Sequence, residues 1–215
     1  LGYLVWKDLT SFVKKLYRKE VRLGKAMQKL HLHTKIVLIM TAGLLICGGL
    51  FFTAAEWGNE ATIGNLPVGE KLLAGFFQSV TVRTAGFSTI SQAGLRESSK
   101  LIACILMFIG GSPVGTAGGI MTVTVAVLAL TCWSIMKGRR ETSCFQRRIA
   151  DETVRTAMLV LSVSLWLTLA GTAILSLLEP EIPLVSELYE VTSAVATVGL
   201  TADVTPMLGT GAKLL

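Results

Sequence analysis

The chain has 215 residues, 52% of them hydrophobic and 16% charged, with a formal net charge of +6. Roughly a quarter of a soluble domain is charged, so the deficit argues against a soluble globule and points to lipid as the solvent. The positive charge is gathered into nine Lys/Arg within residues 1–35 and six within 137–155, which is the flanking pattern of membrane spans rather than a nucleic-acid surface.

In chain order, residues 1–35 form a basic arm in which only Asp8 and Glu20 oppose the charge. His31 and His33 make an isolated HxH there, with nothing beside it to complete a metal site. Ile36 to Ala55 is 20 residues without a charge, the length of one bilayer crossing. An outer stretch with Pro67 and Glu70 leads to a short apolar segment, 72–82, and then to the polar run 84–90. Leu101 to Met136 is uncharged for 36 residues, too long for one span. The basic loop 137–155 precedes a 23-residue uncharged run, Thr156 to Leu178. Pro183 and Glu187 then precede the apolar segment 188–196 and the polar run 197–205. Pro206 reads as the first turn of a further helix capped by Thr205. Residues 1–35 and 137–155 are expected on the cytoplasmic side, with 56–100 and 179–205 outside. Cys47, Cys104 and Cys132 lie in apolar runs and Cys144 in a loop; with no CxxC spacing they read as buried small hydrophobes. The first residue is Leu, and a helix begins as the chain stops, so the sequence reads as a fragment of a longer protein.

The order span, short apolar segment, polar run occurs twice. At an offset of 113, Thr84-Ala85-Gly86-Phe87-Ser88 lies over Thr197-Val198-Gly199-Leu200-Thr201. The short segments cannot cross a bilayer, so they are expected to enter and leave on one face. Non-helical backbone survives at membrane depth only where protein buries it or where it lines an aqueous path. A Thr-x-Gly run after a short helix is how backbone carbonyls replace the hydration shell of a cation. The helix C-terminus adds partial negative charge toward the same place. Thr84, Ala85, Gly86 and Phe87, with Thr197, Val198, Gly199 and Leu200, are therefore the candidate ion-binding residues. Arg83 stands directly before the first run. It is either tied to a carboxylate (Glu70, Glu187 or Glu190) or to loop carbonyls, or it tunes the field along the ion path.

Ser98 to Met136 as one helix would be about 58 Å long, nearly twice the hydrocarbon thickness. Its middle is Gly110-Gly111-Ser112-Pro113-Val114-Gly115-Thr116-Ala117-Gly118-Gly119, which no continuous helix survives. One half-helix is expected to Ile109, a second from Ile120 to Met136, and between them a movable barrier beneath the filter. A phosphate loop is disfavoured, since the GK[ST] ending is missing; a simple kink remains the plain alternative.

The segments "FFQSVTVRTAGFSTI" (76–90), "MFIGGSPVGTAGGI" (107–120) and "TSAVATVGLT" (192–201), in that order, resemble the Trk/Ktr/HKT superfamily of cation transporters, and within it the bacterial KtrB-like subunits. "LHTKIVL" (32–38) resembles the opening of that family's third repeat. The resemblance implies an all-α polytopic membrane protein with helix–pore loop–helix repeats around a central ion pore, one transmembrane helix being broken by the Gly-rich loop. Residues 1–33 would be the cytoplasmic end of the preceding repeat and a basic linker, 34–137 the third repeat, and 138–215 the fourth, stopping at the start of its last helix. It further implies potassium uptake across a bacterial plasma membrane, no enzymatic activity, sodium as an activating ion, and a homodimer. A cytoplasmic KtrA-like ring of nucleotide-binding subunits and membrane lipids would be its partners, with no nucleic acid. One departure is Met121, where members often carry a lysine. Two other classes compete. A membrane-embedded enzyme would need clustered His, Cys or acidic groups, which the spans lack. A carrier with a midplane solute site shares broken helices but has no need of paired filter-like runs.

Overall fold

A computed structural model of the chain describes residues 3–17, 31–113, 117–138, 143–144 and 147–209. Seven α-helices fall within them: α1 (Tyr3–Tyr17), α2 (Leu32–Glu56), α3 (Val68–Thr81), α4 (Glu97–Ile109), α5 (Thr122–Met136), α6 (Asp151–Leu178) and α7 (Leu184–Val195). The described residues also hold an antiparallel ladder of two-residue strands, β1 (Ser143–Cys144) and β2 (Arg147–Arg148), paired Ser143 to Arg148 and Cys144 to Arg147.

Two stretches, His33–Glu56 and Asp151–Leu178, are long and apolar enough to cross a membrane. Their surfaces carry exposed Ile39, Ile46, Leu50, Leu159, Trp166 and Leu169, as a lipid-facing helix requires. The short helices α3 and α7 pack against these long ones through small residues, because close backbone approach maximises van der Waals contact where lipid is the solvent. A Cβ at Gly49 would meet the Phe76 ring at 2.6 Å, and one at Gly48 the Ser79 hydroxyl at 2.5 Å. Ser79 returns its hydroxyl to the Leu45 carbonyl at 3.1 Å. In the second unit a Cβ at Gly171 would meet Val191 at 2.8 Å. One core joins both units: Phe52, Ala103, Leu106 and Met107 of the first pack with Tyr189, Ala196, Val198 and Leu200 of the second.

The loop between α2 and α3 is organised by one carboxylate. Glu56 is buried, accepts hydrogen bonds from Asn59 Nδ2 at 2.5 Å, Thr62 Oγ1 at 2.9 Å and the Arg96 amide at 3.1 Å, and is also reached by Ser99 Oγ. On the opposite end Asp8 takes the Thr34 hydroxyl at 2.5 Å and the His31 ring at 3.0 Å, which ties α1 to α2. The Thr34 hydroxyl bond, with the His31 ring beside it, holds the Asp8 carboxyl below its ordinary value of 3.8.

The short helices begin at Val68 and Leu184, with Pro67 and Pro183 as N-caps and Glu70 and Glu187 in their first turns. Three expectations are corrected. Thr205–Met207 is a 3-10 turn rather than an α-helix start, and its N-cap is Val204. The Thr205 hydroxyl is committed to Glu190 Oε2 at 2.9 Å and so does not cap. Cys104 is buried, but Cys47 and Cys132 are exposed on outward faces of α2 and α5. A small apolar side chain meets no penalty on a surface solvated by lipid.

Candidate functional site: two facing polar runs above a glycine loop

Each polar run starts where a short helix ends, and both start in the same strained way. Thr84 has φ +69° and Thr197 φ +52°, followed two residues later by Gly86 at +75° and Gly199 at +83°. Positive φ in a β-branched residue is an outlier that the surroundings must enforce. The helix ends enforce it. Ala85 and Gly86 both donate their amides to the Thr81 carbonyl at 3.2 Å, and Val198 donates to the Ser193 carbonyl at 2.8 Å. These N–H groups therefore turn back to the helix. Among the described residues no hydrogen bond runs to the carbonyl oxygens of Thr84, Ala85, Gly86, Thr197, Val198 or Gly199.

The two runs meet. A Cβ at Gly86 would overlap the Val198 carbonyl oxygen and would stand 3.9 Å from the Gly199 Cα, so only glycine fits at that crossing. The outer limbs are held by a device used twice. Thr81 Oγ1 donates to the Phe87 carbonyl, and Ser193 Oγ to the Leu200 carbonyl at 2.6 Å. Three residues earlier on each helix stands a larger polar group. Gln78 is buried and pairs with Gln92 through Nε2–Oε1 at 2.6 Å. Glu190 accepts from Thr201 Oγ1 at 2.6 Å and from the Ala202 and Val204 amides at 2.9 and 3.3 Å. Sequence reasoning passed over Gln78, Thr81, Gln92, Tyr189 and Ser193, and weighed Glu190 only as a partner for Arg83. A signal existed, since at an offset of 112 "QSVT" (78–81) lies over "EVTS" (190–193).

The glycine loop lies against the base of both runs. Its two limbs are joined by the Ile120 amide to Phe108 carbonyl bond at 3.0 Å and the Thr122 amide to Gly111 carbonyl bond at 2.9 Å. Gly110 and Gly119 have φ +68° and +78°, and a Cβ at Gly119 would meet the Phe108 carbonyl at 2.9 Å. A Cβ at Gly118 would overlap the Ala196 carbonyl and the Thr197 hydroxyl, while one at Gly111 would reach Thr84 Oγ1 at 3.5 Å. Ser112 is buried and Ala117 half-buried beside this neck, as is Pro113. Val114, Gly115 and Thr116 lie outside the described residues. Met121 is the N-cap of α5 with φ +72°, a further strained position at the loop's exit. Arg83 joins run to loop: its Nε donates to the Gly110 carbonyl at 3.2 Å and its Nη1 to the Thr41 carbonyl at 3.5 Å. Of the two alternatives raised for its partners, these bonds are to carbonyls. Among the described residues no group of three or more His, Cys, Asp or Glu is placed to hold a metal ion.

Residues 51–214 match the family model described as TrkH, cation transport protein. The chain belongs to the TrkH family of cation transport proteins. Within that family it is 34% identical over 196 residues to the Ktr system potassium uptake protein B of Bacillus subtilis, covering 91% of this chain and 44% of that protein. It is 35% identical over 191 residues to the protein of the same name from Vibrio alginolyticus, covering 89% and 42%. To the potassium/sodium uptake protein NtpJ of Enterococcus hirae it is 34% identical over 219 residues, covering 100% and 46%. The chain thus spans under half the length of these TrkH-family relatives.

Proposed function

We propose that the protein takes up potassium through a filter to which Thr84–Phe87 and Thr197–Leu200 contribute, using carbonyl oxygens in place of the ion's water. The carrying observation is the division of labour along each run. The amide hydrogens are spent on the preceding helix end while the carbonyls beside Gly86 and Gly199 are left without hydrogen bonds among the described residues. Alternation of backbone handedness at Thr84 and Gly86, and at Thr197 and Gly199, lets neighbouring carbonyls face one side, as dehydration of a cation requires. The uptake proteins of Bacillus, Vibrio and Enterococcus support potassium as the ion, and the last supports sodium beside it.

Residues 34–137 and 138–215 act as successive helix–pore loop–helix units around that pore, in a multi-pass plasma-membrane protein with 1–35 and 137–155 cytoplasmic. The loop 110–119 acts as the gate; the closeness of Gly111 to the Thr84 hydroxyl and of Gly118 to the Thr197 hydroxyl supports a barrier beside the filter. The relatives' description as part of a Ktr system supports a cytoplasmic regulatory partner, a nucleotide-binding ring, alongside a homodimer of membrane subunits. Uptake of rubidium and potassium by cells expressing the whole protein tests the filter. Gly86→Ser and Gly199→Ser are expected to abolish the preference for potassium over sodium, whereas weaker substrate affinity at unchanged preference would favour a carrier with a midplane site. Removal of 112–117 is expected to raise flux, and unchanged flux would remove the gate from the reading.

A further inference from the structure

We propose that Tyr189 is a positioning residue for the first run, acting from the second unit through Gln92; this rests on the filter reading above. Tyr189 sits on α7, is fully buried, and donates its hydroxyl to Gln92 Oε1 at 2.9 Å. That oxygen also takes Gln78 Nε2 at 2.6 Å, and Gln92 Nε2 returns a bond to Gln78 Oε1 at 3.2 Å. The Ile90 carbonyl, which can only accept, sets the orientation of the Gln92 amide: Nε2 donates to it at 2.9 Å and to Ser88 Oγ at 3.2 Å, leaving Oε1 to the tyrosine. Ser88 Oγ itself donates to the Ile90 carbonyl at 2.6 Å. The limb has little else to hold it, since Phe87, Ser88 and Thr89 are all exposed.

The neighbouring residue on α7 is Glu190, which holds the second run through Thr201, Ala202 and Val204. Adjacent residues of one helix therefore grip the two runs, one each. A shift of α7 moves both limbs together, and the spacing between the runs is set by a side-chain tie rather than by chain connectivity across the 97 residues that separate Gln92 from Tyr189. Buried polar networks of this kind specify one geometry when every member is satisfied.

The test is the ratio of potassium to sodium flux into proteoliposomes holding the whole protein. Tyr189→Phe keeps the ring and removes the hydroxyl; the ratio is expected to fall about fivefold, the equivalent of one net hydrogen bond. Ser186→Ala is the structural comparison. It removes a different hydrogen bond made by α7, Lys100 Nζ to Ser186 Oγ at 3.3 Å, touches neither run, and should leave the ratio unchanged. If Tyr189 works through Gln92, Tyr189→Phe with Gln92→Met should give the ratio of Gln92→Met alone. Should Tyr189→Phe fail to assemble, Gln92→Met reads the same tie, because it removes the acceptor of the tyrosine hydroxyl together with the donor to the Ile90 carbonyl. An unchanged ratio in these variants, or additive losses in the double variant, overturns the proposal while Gly86→Ser still alters the ratio. If Gly86→Ser and Gly199→Ser also leave it unchanged, the filter reading itself has failed.

Discussion

The two polar runs share a backbone and differ in what surrounds it. At the aligned apolar position, Leu200 is 4% exposed and belongs to the common core, whereas Phe87 is 72% exposed. Val198, Leu200, Ala202 and Val204 alternate inward along the second run and pack against Phe52, Leu106 and Met107 of the first unit. The second run is thus completed by the unit before it in the chain. The first run has its Phe87 side chain facing away from that core. Backbone geometry belongs to each short helix and its run, while the burial of the run's side chains belongs to the neighbour.

The largest effect that sharpens this comparison is at the glycines. A Cβ at Gly86 would overlap the Val198 carbonyl, but a Cβ at Gly199 would meet nothing within 4 Å. Both positions have positive φ, which costs a side chain about 1–2 kcal/mol. Gly199→Ala should show that strain alone, with folded protein and reduced potassium uptake. Gly86→Ala should abolish uptake, because the second run's backbone has to move. Equal loss at both positions would break the comparison.

A smaller effect separates the carboxylates that hold the loops. At Glu56, each oxygen faces at least one N–H donor, Arg96 for Oε1 and Asn59 for Oε2. An amide in either orientation would oppose donor to donor, and Glu56→Gln should cost about 3 kcal/mol, the upper range for a charged hydrogen bond. Glu190 differs, because among the described residues its Oε2 meets only the Thr205 hydroxyl, which can rotate and accept. Glu190→Gln is expected to cost about 1 kcal/mol. Thermal unfolding of the two variants in detergent checks the order.

How much of this was legible follows from what each signal depends on. The long helices, the interruption at 110–119 and the two runs were readable because charge-free length and glycine density are local properties. α4 ends at Ile109 as read, and α5 starts at Thr122, two residues later than read, since Met121 takes a positive φ that periodicity does not report. The supporting side chains were not readable in the same way. Gln78, Gln92 and Tyr189 look like scattered polar residues until the fold brings positions 14 and 97 apart in sequence into one network. Glu56 similarly reads as the end of a span, and its four donors come from two separate stretches, 59–62 and 96–99. Arg83 was legible as a burdened charge, while its carbonyl partners at Thr41 and Gly110 depend on helix packing.

The smallest expected effect tests whether the repeated hydroxyl brace is equivalent in the two units. Thr81 and Ser193 make the same bond, to the Phe87 and Leu200 carbonyls respectively. Removing either leaves a carbonyl without its donor, a loss of about 1 kcal/mol in each case. The consequences for the runs should nevertheless diverge. Leu200 stays pinned by its buried side chain when Ser193→Ala removes the bond, so the second run keeps its place and ion preference holds. Phe87 has no such anchor within these two units, so after Thr81→Val its limb depends on Gln92 and ion preference falls. A larger change in the potassium-to-sodium ratio for Ser193→Ala than for Thr81→Val would mean that side-chain burial does not hold the second run, and that the backbone of each unit alone determines its geometry.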